Sequence, residues 1–140
     1  MFGGLKNRCI FASVINQNNK TMTTENNKLI AEFMGGYTPY EKFGDSTEYY
    51  YRGHYVTLEN MKFQTSWDWL MPVVEKIEEV FIDDSNLIIK EHRYEFDMKY
   101  TQCEIYDHVR DCVVASGDMG SKILSTYQSV VEFIKEYNNN

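Results

Sequence analysis

The hydrophobic period of this chain changes twice along its second half, and that pattern restricts the fold more than any other feature. Leu70, Val73, Val74, Ile77, Val80 and Phe81 recur at three- and four-residue spacing, which predicts an amphipathic helix over 70–81. Tyr94, Phe96, Met98 and Tyr100 then alternate with Glu95, Asp97 and Lys99, the period-two signature of a half-buried strand. Leu87-Ile88-Ile89, Cys103 to Tyr106 and Val113 to Ala115 read as further short strands, with turns at Asp107 to Asp111 and Ser116 to Gly120. Ile123, Tyr127, Val130, Val131, Ile134 and Tyr137 return to helical spacing, flanked by Leu124 and Phe133. Helical stripes of this kind bury economically against such strands as an α+β domain. We expect a small antiparallel sheet packed with about three helices, a helix–sheet–helix sandwich.

Punctuating residues set the element ends. Thr65, Ser66 and Asp68 can start the 70–81 helix and Ser121 the last one, because a side-chain oxygen accepts from an orphan amide of the first turn. Pro72 has no amide donor and must lie in the first turns. Asp83-Asp84-Ser85-Asn86 ends that helix. A short helix is expected earlier, capped by Thr23 or Thr24, with Leu29, Ile30, Phe33 and Met34 on its apolar face and Gly35-Gly36 at its end. Residues 35–65 are aromatic and irregular. Tyr49 to Leu58 reads as a strand or hairpin, and the segment before it as loop; long ordered loops in small domains are often functional. Residues 22–140 form one expected domain. Residues 1–21 carry Lys6, Arg8 and Lys20 and no acid. They read as a disordered tail or an extension of the reading frame, with Met22 a natural start and a docked strand at Ile10 to Ile15 the alternative.

Charge excludes one function class. The net charge is −7, with +3 in the first 21 residues and therefore −10 on the remainder. Surfaces that grip nucleic-acid phosphates are basic, so no nucleic-acid partner is expected. Nor is a membrane partner, because no apolar run approaches the ~18 residues of a span. The acids are interspersed with lysines, as in Glu75-Lys76-Ile77-Glu78-Glu79, which describes a solvated face. Cys9, Cys103 and Cys112 are odd in number and irregular in spacing, which argues against a disulfide framework. Without a secretion signal the simpler inference is a reducing cytoplasm.

Three segments together resemble a group of small proteins encoded by tailed phages and prophages. They are residues 27–35 (Asn27-Lys28-Leu29-Ile30-Ala31-Glu32-Phe33-Met34-Gly35), 65–78 (Thr65-Ser66-Trp67-Asp68-Trp69-Leu70-Met71-Pro72-Val73-Val74-Glu75-Lys76-Ile77-Glu78) and 127–138 (Tyr127-Gln128-Ser129-Val130-Val131-Glu132-Phe133-Ile134-Lys135-Glu136-Tyr137-Asn138). The first two are also distantly similar to the phage ABA-sandwich domain. The likeness covers about a quarter of the chain, all of it helical. It implies helix–sheet layering, a phage origin and a host-cytoplasmic setting. It implies no activity, and no catalytic residue carries over.

Two clusters stand out as binding surfaces. Trp67-Asp68-Trp69 can place one ring in the core and use the other to anchor a partner, since Trp is enriched at interface hot spots. Tyr49-Tyr50-Tyr51-Arg52-Gly53-His54-Tyr55 offers large contact area with polar tips. The candidate binding residues are therefore Trp67, Trp69, Tyr49, Tyr50, Tyr51, Arg52 and Tyr55. Cys103, His108 and Cys112, with His92, lack the close cysteine pairs of structural zinc sites. Asp107-His108 and Asp111 have no evident nucleophile. The expectation is a non-enzymatic accessory protein without a cofactor. It would act through a protein partner or as a homo-oligomer, and countering host defence is one such role. The alternatives are a sponge for a small nucleotide, using an aromatic pocket with Arg52, Arg93 or Arg110, and a minor virion component.

Overall fold

A computed structural model describes residues 19–36, 48–83 and 90–139. In chain order these form α1 (Asn19–Phe33), β1 (Glu48–Tyr51), β2 (His54–Thr57), a 3-10 turn (Leu58–Asn60), α2 (Trp67–Glu78), β3 (Tyr94–Met98), β4 (Gln102–Asp107), β5 (Cys112–Asp118) and α3 (Lys122–Asn138). The α+β class is as expected, but the strands form two sheets. One is the β1–β2 hairpin and the other an antiparallel β3-β4-β5 meander. Helix α3 lies across β4 and β5, α1 packs on α3 and the 3-10 turn, and α2 packs on β3 and α3. One core joins them, with Ile30, Phe63, Leu70, Val73, Ile77, Ile105, Val130 and Ile134 buried within it. Among the described residues no helix is long and apolar enough to cross a membrane. The expected strand at Ile10 to Ile15, the Leu87-Ile88-Ile89 run and most of the aromatic loop before Tyr49 lie outside the described residues.

The helix ends follow from local chemistry. Helix α1 closes as the glycines predict. Gly35 takes φ +88°, its amide donates to Glu32 O at 3.0 Å, and the Gly36 amide donates to Ala31 O at 2.7 Å, the paired bonds of a Schellman ending. Its start departs from expectation. No glycine or proline interrupts residues 19–34, and the helix begins at Asn19 rather than at a Thr23 or Thr24 cap, so residues 19–21 belong to α1. Ser121 Oγ accepts from the Leu124 amide at 3.3 Å, the expected cap of α3. Ser66 occupies the corresponding place before α2 but its side chain makes no capping bond. Pro72 is the sixth residue of α2, where only the bond to the Asp68 carbonyl is lost.

Three expected boundaries move. The apolar spacing of α2 continues to Phe81, yet the helix stops at Glu78. There the backbone leaves to pair with a later segment: Ile82 donates to Glu91 O, Arg93 donates to Val80 O, and Phe81 bridges His92. At the other end of the sheet, β5 runs to Asp118, through what reads as a turn at Ser116 to Gly120. Gly117 pairs with Cys103 of β4 in that strand, and α3 rests directly on it. Strand β3 ends at Met98, and Tyr100 sits exposed in the following turn.

Buried polar groups tie the layers. Asn27 Nδ2 donates to Leu58 O at 2.9 Å and its Oδ1 accepts from Tyr127 at 3.3 Å, so one amide links α1, the 3-10 turn and α3. Cys103 is a free, buried thiol, raised in pKa by burial and held at 3.1 Å by Ser129 Oγ. Cys112 is disulfide-bonded, which departs from the expectation of reduced thiols.

Candidate functional site

The hairpin builds the site from its turn outward. Tyr51 pairs with His54, leaving Arg52 and Gly53 as a two-residue loop with φ +51° and +83°. Positive φ at both positions is the type I′ geometry that matches strand twist. Asparagine and glycine adopt it readily, whereas an arginine there costs about 1–2 kcal/mol. Arg52→Asn is accordingly expected to raise stability by about 1 kcal/mol in denaturant unfolding. A residue kept against its conformational preference at the tip of a hairpin is a functional signal.

Strand alternation then divides the tyrosines. Tyr49 and Tyr51 turn inward and are buried, while Tyr50 and Tyr55 form a cross-strand pair at 5.1 Å between ring centroids. Tyr49 donates to Glu32 Oε1 at 3.3 Å; burial and that carboxylate push its pKa up to about 12. Tyr49 thus anchors β1 to α1. Tyr51 stacks on Trp69 at 5.7 Å and meets Phe63 edge-on at 5.6 Å. This ring cluster fixes the hairpin against the first turn of α2. Residues two apart on a helix face different ways, so Trp69 is half-buried in the cluster while Trp67 is 36 % exposed.

Between hairpin and helix lies a cleft of about 560 Å³. Tyr51, Val56 and Trp69 give it an apolar lining, and Arg52, His54, Tyr55 and Asp68 complete it. Four of the seven sequence-stipulated binding residues therefore meet in one place. Tyr49 belongs to the core, and Tyr50 and Trp67 stand outside the lining. His54 and Asp68 belong to the same two sequence clusters, and Val56, the partner of Tyr49 across the hairpin, is the addition. Tyr51 is 4 % exposed and its hydroxyl is buried with no hydrogen-bond partner among the described residues. Burial raises its pKa while Arg52 opposes the shift, so the group is a neutral hydroxyl in ordinary conditions. An orphan buried hydroxyl costs about 1–3 kcal/mol, which a ligand reaching it would recover.

The polar clusters that suggested chemistry are occupied structurally. The Asp107 carboxylate accepts Arg93 Nε at 3.0 Å, Arg93 Nη2 at 2.9 Å and the Val109 amide at 2.9 Å. Burial would raise its pKa, but these bonds and the Arg93 charge outweigh it and hold the group below the usual range. His108 Nε2 pairs with Glu95 at 2.8 Å, Asp111 accepts from the Tyr106 hydroxyl, and His92 Nδ1 bonds the Glu78 carbonyl. Among the described residues no three His, Cys, Asp or Glu side chains converge to hold a metal. Comparison with protein-family models, with curated proteins and with solved structures returned no match.

Proposed function

We propose that this chain is a binding protein rather than a catalyst, and that the hairpin–α2 surface is where it engages a protein partner or a second copy of itself. The observation that carries the reading is Tyr55, 58 % exposed beside the Arg52 tip, on the rim of a cleft whose other wall is the Tyr51–Trp69 stack. Exposed aromatics beside an arginine are the composition of interface hot spots. The engagement of Asp107, His108 and Asp111 in structural bonds supports binding over acid–base catalysis. The phage or prophage setting, and with it a role against host defence, rests on the three helical segments described above.

Tyr55→Ala and Trp67→Ala remove exposed rings and should leave the melting temperature nearly unchanged. Each is expected to weaken association at least tenfold, about 1.4 kcal/mol or more, in sedimentation of the pure protein or titration with an isolated partner. Wild-type association in both variants would sink the reading. Tyr51 is unsuitable for this test because it holds the core stack.

A small nucleotide is the second reading of the same cleft, favoured by the orphan Tyr51 hydroxyl and by a volume within the ~300–1,000 Å³ of ligand pockets. Thermal stabilisation by a nucleotide panel tests it; no shift at saturating ligand counts against it.

A further inference from the structure

A second cleft, of about 490 Å³, opens between the start of β3, the β4–β5 turn and the C-terminal half of α3. Arg93 and Arg110 line it beside Tyr94, Val114, Phe133, Glu136 and Tyr137. Both arginines are held from behind. Arg93 is clamped by Asp107, which is 1 % exposed. Its amide donates to Val80 O and its carbonyl accepts from His108, so its backbone is fixed on both sides. Arg110 Nη1 donates to Glu136 Oε1 at 2.6 Å. Arg93 Nη1 and Arg110 Nη2 keep their donors free of partners among the described residues.

The carboxylates are not equivalent. Asp107 is filled by Arg93 and by the turn amides of Val109 and Arg110. Glu136 has one oxygen on Arg110, whereas its Oε2 is buried and has no partner among the described residues. The cleft thus presents guanidinium donors next to the Glu136 carboxylate, whose buried oxygen is unfilled, in a cluster whose formal charges cancel. Its apolar wall is rigid: Tyr137 stacks on Phe133 at 5.8 Å and meets Phe33 edge-on at 5.9 Å, and Tyr94 meets Phe133 edge-on at 4.7 Å.

We propose that this cleft binds a zwitterionic α-amino acid with an aromatic or large apolar side chain. The ligand carboxylate bonds Arg93 and Arg110, the ammonium pairs with the part-exposed Glu136 carboxylate, and the side chain lies against Tyr137 and Val114. An α-amino acid carries its ammonium and its carboxylate on one carbon, close enough together to meet an Arg–Glu pair in contact. A simple anion would meet the Glu136 carboxylate and a simple cation the two guanidinium groups; only a ligand bearing both charges satisfies both. The site is separate from the hairpin cleft and does not depend on what binds there.

Isothermal titration of the full chain with L-phenylalanine, L-tryptophan and L-leucine tests this. At least one should bind with a millimolar or tighter Kd. Phenethylamine, which lacks the carboxylate, and 3-phenylpropionate, which lacks the ammonium, should each bind at least tenfold more weakly. Glu136→Gln should weaken the amino acid at least tenfold and leave 3-phenylpropionate unchanged or improved; Arg110→Ala should weaken the amino acid and leave phenethylamine unchanged. Tyr137→Ala, at a half-exposed ring, is the third variant should either of these fail to fold. The proposal is overturned if none of the three amino acids binds, if either analogue binds as tightly as the amino acid, or if the folded variants bind like the wild type.

Discussion

Asp107→Ala is expected to lower stability by about 3 kcal/mol, the low end of the ~3–5 kcal/mol lost when one partner of a buried ion pair is removed. The low end applies because Arg93 is about a third exposed and recovers part of its hydration once unpaired. Asp107 itself is almost fully buried and accepts from one guanidinium and two turn amides. Its loss therefore also releases the β4–β5 turn. For a chain of this length the melting temperature should fall by about 10 °C. The pH dependence has a definite sign. The folded-state pKa of Asp107 is depressed, so between that value and the unfolded value of about 3.9 the unfolded chain binds more protons. Its contribution is complete above about pH 4 and is lost as pH falls through the folded pKa. Asp107→Asn should be less stable than wild type at pH 7 and should lose less on acidification below pH 4. Equal acid slopes for the two proteins would remove Asp107 from the account of acid unfolding.

The sequence carried the parts of this fold that depend on local period and local backbone chemistry. The stripe on α3, the Ser121 cap and the Gly35 ending are all decided within a few residues of chain; Tyr49 to Leu58 reads only as a strand or hairpin, and its turn at Arg52-Gly53 is not legible because arginine disfavours positive φ. What it did not carry depends on contacts made at a distance. The apolar spacing of α2 runs on to Phe81, but pairing of 80–82 with 91–93 takes over the backbone at Glu78. Period two in the hairpin separates Tyr49 and Tyr51 from Tyr50, yet nothing in the local spacing says that Trp69 will stack on Tyr51. The Arg93 cleft draws on β3, a turn and α3, with Arg93 and Asp107 fourteen residues apart. No spacing rule links such positions: Arg93 and Arg110 are available in the sequence as cations for an aromatic pocket, but nothing there brings the two together or sets them apart from Arg52.

Gly117 is the case where distance and local reading conflict most, and it gives the second large effect. In sequence, Ser116 to Gly120 has the composition of a turn. In the fold, Gly117 sits inside β5 with α3 laid across it. Ser125 and Ser129, one turn apart on α3, are fully buried, and the helix approaches by presenting small residues to a strand position without a side chain. A Cβ at Gly117 would lie 2.0 Å from Ser125 O and 3.1 Å from Gln128 Cβ. The nearer atom belongs to the helix backbone, so no rotamer change relieves it. The Ser125 hydroxyl also joins the Met119 amide at 2.9 Å to Thr101 O at 2.7 Å, and Gln128 Oε1 accepts the Asp118 amide; displacing α3 breaks these together. Overpacking a core costs about 1–3 kcal/mol when side chains can adjust. Gly117→Ala should therefore cost at least about 3 kcal/mol, and Ser125→Gly should not rescue it. Gly120→Ala is the control. That residue has φ +80° but open space around its Cβ position, so only backbone strain applies and the loss should be about 1 kcal/mol. Equal losses at the two glycines in denaturant unfolding would mean that α3 can move off β5 at little cost.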